Sequence, residues 1–184
     1  MNVVKTSIDG VVIIEPRIFE DERGYFYESF SQREFEEKVC NTVFVQDNQS
    51  KSTYGVIRGL HFQRPPYTQA KLVRCTKGKV YDVVVDIRKD SSTYGKWFGI
   101  ELSPENNRQL LIPRGFLHGF QTLTDDVIFS YKCDNFYNKE SDGGVAYDDP
   151  DLGIVWPIEE KILSEKDKNH PTLKELIEKE GDIF

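Results

Sequence analysis

The fold class that the sequence predicts is all-β, a sandwich or barrel with short accessory helices, in a single domain over residues 1–184. Three observations lead there. Short apolar or alternating segments recur at roughly 8–12-residue spacing, turn residues separate them, and helical periodicity is confined to two brief stretches. Strands separated by long helical patterns, the mark of βαβ units, are missing.

The elements follow in order. Residues 11–14 form an apolar strand stopped by Pro16, and residues 24–30 alternate aromatic with small or polar side chains. Residues 42–46, 55–62 and 71–74 come next. Residues 79–88 have the clearest period of two, with Tyr81, Val83, Val85 and Ile87 on one face and Asp82, Val84, Asp86 and Arg88 on the other. Residues 97–102, 109–112, 119–123 and 127–134 complete the set. Turns are signalled at Lys77-Gly78, Tyr94-Gly95, Pro113-Arg114-Gly115 and Thr124-Asp125-Asp126. Ser31 and Glu34 have capping-box spacing, which opens a short helix to about Val39. Leu173, Leu176 and Ile177, between Pro171 and Gly181, outline a second.

Composition narrows the function. Lys plus Arg number 24 and Asp plus Glu 31, a net charge of −7. That field opposes broad binding to nucleic acid or to anionic membranes. It leaves room for one small anionic ligand held by local arginines. No run of about 18 apolar residues exists to cross a membrane, and the first residues lack a signal-peptide layout. Cys40, Cys75 and Cys133 are widely spaced with no C-x-x-C. We read a reduced, cytoplasmic protein with buried thiols.

Phosphate loops are absent: there is neither G-x-x-x-x-G-K-[ST] nor a G-x-G-x-x-G after a strand. Three histidines remain as candidates. His61 lies on a predicted strand in Arg58-Gly-Leu-His-Phe-Gln63 and is either a core histidine or a general base. His118 lies in Pro113-Arg-Gly-Phe-Leu-His118, which resembles the second half of the double-stranded β-helix (cupin) metal pattern. His170 precedes a proline and reads as a surface or capping residue. The first half of the cupin pattern needs His-x-His and a nearby glutamate, whereas His61 is followed by Phe62 and Gln63. Two histidines without a neighbouring carboxylate are short of ligands, so a metal-free site is expected. Tyr131 is a core tyrosine or, facing a cavity, a proton donor. Lys71 opens a strand and reads first as a solvated lysine. Arg23 and Arg58 each adjoin a glycine; each is a surface ion pair or a bidentate diphosphate contact. The aromatic pair Phe136-Tyr137 is a stacking platform or a plain strand end.

Together these segments are specific. Residues 21–26 (DERGYF), 44–48 (FVQDN), 56–63 (VIRGLHFQ), 71–74 (KLVR), 83–88 (VVVDIR), 112–120 (IPRGFLHGF) and 163–167 (LSEKD) resemble the dTDP-4-dehydrorhamnose 3,5-epimerase family, in the family's order and over nearly the whole chain. The resemblance implies a cupin-like double-stranded β-helix jelly roll that works as a homodimer without cofactor. It implies inversion of C3 and C5 of dTDP-4-dehydro-6-deoxy-glucose through an enolate, on the way to dTDP-L-rhamnose. Carried over by position, His61 is the base and Asp167 its orienting carboxylate. Tyr131 is the acid on the opposite face, and Lys71 stabilises the enolate oxygen. Arg23, Glu28, Gln46, Asp47, Asn48, Arg58, His118 and Lys166 match substrate-contacting positions. Tyr137 matches the residue that stacks on thymine, and Asp142 stands where many members carry glutamate. Three alternatives stay open: an epimerase acting at C5 or C3 alone, a nucleotide-sugar-binding jelly roll without catalysis, and a metal-dependent cupin oxygenase.

Overall fold

The computed structural model describes residues 1–184. Thirteen strands and three helices occur in the order β1 (Asn2–Lys5), β2 (Val12–Glu15), β3 (Phe19–Asp21), β4 (Gly24–Phe26), α1 (Gln32–Lys38), β5 (Gln46–Ser52), β6 (Ile57–Gln63), β7 (Lys71–Lys77), β8 (Val80–Asp86), β9 (Trp97–Leu102), β10 (Gln109–Ile112), β11 (Phe116–Thr122), β12 (Val127–Cys133), β13 (Asp142–Gly144), α2 (Glu165–Lys168) and α3 (Leu173–Glu180). Two antiparallel sheets face each other, one ordered β1-β2-β10-β7-β12-β5 and the other β13-β6-β11-β8-β9. β3 and β4 form a separate hairpin.

The period of two decides what lies between the sheets. Val73 and Cys75 of β7, Leu110 and Ile112 of β10, and Val127 and Phe129 of β12 meet Val80 and Val84 of β8 and Phe116 and Phe120 of β11 in one buried cluster. Alternate residues serve the outer faces. Leu60, Phe62, Val83, Val85 and Leu117 pack under the C-terminal segment through Leu152, Leu173 and Leu176. Ile14, Leu72 and Leu111 pack under α1 through Phe35. Both sheets are therefore apolar on two sides, which is why β8 reads as an almost unbroken valine run.

Several expectations need correction. Residues 24–30 are strand only as far as Phe26, and that strand pairs with β3 in the hairpin. Residues 42–45 are not strand; pairing starts at Gln46 and continues to Ser52. The apolar run misled because Phe44 packs against Phe30 and Phe35, while Val43 and Val45 are exposed. Ser31 makes no side-chain cap bond, because Glu34 pairs instead with the N-terminal ammonium and Lys38, both at 2.6 Å. The reciprocal capping box is at Thr172 and Glu175. A third helix, α2, was not anticipated; Ser164 caps it by accepting from the Asp167 amide. No helix is long and apolar enough to cross a membrane, and all three cysteines are free, Cys75 and Cys133 buried.

Candidate active site

Toward one end of the sandwich the inward positions turn polar. His61 of β6 and His118 of β11 are directly paired across their strands. On the facing sheet, Lys71 pairs with Cys133, which pairs with Gln46, and Tyr131 pairs with Asn48. His61, His118, Lys71, Tyr131, Arg58, Lys166 and Asp167 line one cleft of about 430 Å³, floored by Phe120 and Phe129. These two rings stack at 4.2 Å between the sheets. An adjoining hollow of about 190 Å³ adds Gln46, Asn48, Tyr137 and Asp142 to His61, Lys71, Tyr131 and Lys166.

A close strand approach sets the two histidines. Gly59 has φ +135°, and a Cβ there would lie 2.5 Å from the Gly119 Cα. Only glycine permits β6 and β11 to come so near, and a register shift follows immediately after His118. The Arg-Gly-Leu-His and Leu-His-Gly spacings are thus requirements of backbone geometry.

His61 Nε2 stands 2.6 Å from Asp167 Oδ1. The carboxylate arrives from α2, anchored by the bridge between Val56 and Ile162 and by the Ile57 amide donating to the Ile162 carbonyl at 2.9 Å. Burial raises the Asp167 pKa, but the nearby His170 at 3.5 Å, the bonded His61 and Ser164 outweigh it and hold the carboxyl well below the usual range. An ionised carboxylate can only accept, so Nε2 carries the imidazole hydrogen and Nδ1 keeps its lone pair. The His61 side chain is 32% exposed, which leaves it open to a ligand.

The second pair differs. His118 Nε2 lies 2.9 Å from Asp82 Oδ2, with the two side chains 8% and 0% exposed. Burial pushes the Asp82 carboxyl up, opposed by His118 and Lys71, and burial lowers the His118 pKa, opposed by Asp82. Tyr131 is raised to about 12 by burial, so its phenol holds its proton at neutral pH. Lys71 is drawn down by burial, and no carboxylate bonds to its ammonium; the Tyr131 ring centroid is 5.9 Å away.

Asp142 is a hub. Its Oδ1 accepts from Gln63 at 3.3 Å, and its Oδ2 accepts from the Tyr137 hydroxyl at 3.2 Å and from Lys166. Arg58 donates to the Ser52 hydroxyl at 3.1 Å and the Lys51 carbonyl at 3.2 Å.

Three expected residues stand apart. The Asp47 side chain points to the other face of β5, where it pairs with Lys132, because alternation places Gln46, Asn48, Ser50 and Ser52 inward. Arg23 pairs with Asp21 on the exposed hairpin, and Glu28 is exposed just beyond it; neither lines the cleft or its hollow. His170 is not a surface residue. Its ring is 9% exposed and occupies the space a Gly144 side chain would fill, with Nε2 only 2.4 Å from where that Cβ would be. The reading of His61 as lacking a carboxylate also fails in space, since Asp167 is distant in sequence alone. Asp82 was missed as a site residue, although an acid between Val80 and Val84 on an inward face is itself a signal.

A family model described as dTDP-4-dehydrorhamnose 3,5-epimerase matches residues 5–175. The chain belongs to this family. The dTDP-4-dehydrorhamnose 3,5-epimerase of Shigella flexneri is 57% identical over 170 residues, which are 92% of this chain and 94% of that one. The crystal structure of the enzyme from Elizabethkingia anophelis NUHP1 has a TM-score of 0.91 at 55% identity, covering 95% of this chain and 97% of the other. The dTDP-6-deoxy-D-glucose-3,5-epimerase of Legionella pneumophila, solved with dTDP-4-keto-L-rhamnose, has a TM-score of 0.91 at 49% identity over 94% and 93%. The double sheet is the cupin-like jelly roll expected of an epimerase of this family.

Proposed function

We propose that this protein is a dTDP-4-dehydrorhamnose 3,5-epimerase, inverting C3 and C5 of dTDP-4-dehydro-6-deoxy-glucose by proton transfer, without metal or cofactor. The observation that carries the reading is the placement of His61 and Tyr131 on opposed sheets across one cleft, with Lys71 beside the tyrosine. Both carbons flank the C4 ketone, so removing either proton places negative charge on O4. His61 Nδ1 takes the proton, and the Lys71 ammonium, free of any carboxylate bond, meets the enolate oxygen. Tyr131 then gives its proton to the opposite face of the carbon. His61 releases its proton to solvent and the phenolate regains one, so each inversion is neutral overall. Asp167 fixes the imidazole tautomer throughout. Arg58 and Lys166 supply positive charge for the diphosphate, and Tyr137 a ring for the base.

Arg23 and Glu28 fit the same reading in a homodimer. Phe19, Tyr25 and Phe26 on the hairpin are 50%, 57% and 67% exposed, an aromatic patch that a second copy would cover. The hairpin would then carry both residues to the other subunit's cleft. Light scattering tests this: a species near 43 kDa, twice 21.4 kDa, is expected. A 21 kDa species at micromolar concentration would exclude it.

The reaction is tested by NMR of the dTDP-4-keto sugar in D2O. Deuterium at both C3 and C5 with inversion at both is expected, and it should survive exhaustive EDTA treatment. Tyr131→Phe should still exchange hydrogen from the His61 face while losing net inversion. Inversion at one centre alone would move the protein to the single-centre epimerases.

A further inference from the structure

Beside the reactive edge of His61 lies a group of atoms that the epimerase reaction does not require. Asp167 Oδ1 is shared: it is 2.6 Å from His61 Nε2 and 3.5 Å from His170 Nε2. The three ligand atoms all lie within 4.8 Å of one another. The two imidazoles meet edge to face, at 76° with centroids 5.7 Å apart. His170 Nε2 is buried and, apart from this 3.5 Å approach to Asp167, has no hydrogen-bond partner, although buried polar atoms are generally satisfied. A packing role explains the ring but not that nitrogen. We infer that His61, Asp167 and His170 form an inhibitory binding site for a zinc-like divalent transition-metal ion.

The chemistry of the set supports the assignment. Two imidazoles and one carboxylate are a common open zinc site, with a water in the fourth position. Zinc-to-ligand bonds of about 2.0–2.1 Å in a tetrahedron put neighbouring ligand atoms about 3.3 Å apart. The His170–Asp167 separation already matches this. The His61–Asp167 contact must open by about 0.7 Å, because the ion replaces the hydrogen between them. His170 also borders a surface hollow with Asp142, Glu175 and Glu180 on its rim, which gives a cation a second approach.

The inhibition follows from the tautomer, and this part rests on His61 being the base. A metal on Nε2 obliges the neutral imidazole to carry its single hydrogen on Nδ1. The lone pair needed to take the substrate proton is then gone, while the cleft stays open. Zinc should therefore lower kcat and leave KM for the nucleotide sugar nearly unchanged.

The experiment titrates ZnCl2 into the metal-free protein by calorimetry in a non-chelating buffer, with initial rates in parallel. One ion per chain at micromolar Kd, a falling kcat and recovery on EDTA are expected. His170→Gln removes a ligand without touching His61, so zinc affinity should fall about 100-fold or more, with zinc inhibition scored against each variant's own metal-free rate. His170→Asn, with melting curves for both, guards against a folding defect. Cys40→Ser should bind as the parent does. No binding below millimolar zinc, or equal affinity in the parent and both His170 variants, would overturn the site. Binding that depends on His170 but leaves kcat unchanged would uphold the site and remove His61 from the role of base.

Discussion

The molecule uses the same pair, histidine on carboxylate, twice on adjacent strands, and the two serve opposite purposes. His118–Asp82 is sealed between the sheets at 8% and 0% exposure; His61–Asp167 has a 32% exposed imidazole over a 5% exposed carboxylate. Burial drives the first pair toward neutrality, raising the acid and lowering the base. The second keeps its carboxylate ionised because Ser164 and two imidazoles surround it. A paired histidine is therefore reactive only where its partner stays charged and its far edge stays wet. On the proposed mechanism, His118 holds the wall of the cleft and His61 works in it.

The largest effect that would break this contrast is on turnover. His61→Ala should cut deuterium uptake at both carbons by about 10²–10⁴-fold, or roughly 3–5 kcal/mol of barrier. Stability should fall by only about 1–2 kcal/mol. His118→Ala should do the reverse, costing about 3–5 kcal/mol of folding stability by urea denaturation, since a ring-sized cavity opens and the buried Asp82 loses its hydrogen-bond partner. That loss should shrink as pH is lowered, because burial raises the Asp82 pKa and a protonated Asp82 leaves no buried charge behind. If the two variants cannot be told apart by rate and stability, the distinction fails.

Asp167→Asn tests the carboxylate alone. It keeps the shape and loses the charge that selects the tautomer, so kcat should drop by on the order of 10²-fold or more. The pH dependence of stability sharpens the point. Below the ordinary aspartate value of 3.8 the unfolded chain takes up protons that Asp167 and Asp86 still refuse. Stability therefore falls with pH there, and the Asp86 share, held by Arg88, Ser91 and Thr93, is exhausted by about 2. Asp82 has the opposite sign: its contribution is greatest at low pH and is lost as pH rises through its raised value. Urea midpoints from pH 5 to 2.5 should show a shallower decline in Asp167→Asn. The smallest effect belongs to Asp82→Asn, expected within about 1 kcal/mol of the parent, because the amide keeps the shape and a hydrogen bond to His118 in a site that already disfavours charge.

How much of this was legible depends on how local each signal is. His61, His118 and Tyr131 were visible as candidates because they interrupt apolar strands, whereas Lys71 read as a solvated lysine; that the four share one cleft was implied only by the family resemblance. β5 was not visible. It is polar on both faces, one lining the cleft and one in solvent, so no hydrophobic period announces it. Asp47 was carried over from the family resemblance, and its side chain lies one residue off the inward register. The Asp167 pairing came from family resemblance, since a contact between β6 and α2 leaves no trace in spacing. His170 looked like a surface residue because the feature that receives it is the missing side chain of Gly144, on another strand.

One consequence concerns the order in which the polypeptide is made. Every strand is complete by Gly144, yet the carboxylate that orients His61 lies beyond Ser164, in a helix of four residues. A nascent chain can therefore close both sheets while still lacking the tautomer control its base needs. On the proposed mechanism, activity is expected only once the final stretch docks through Ile162 beside β6 and through Leu173 and Leu176 onto the outer face. A ribosome-released fragment ending near residue 160 should fold its sheets and bind nucleotide, yet turn over poorly. If so, the last fifth of the translation product is a completeness check on the enzyme.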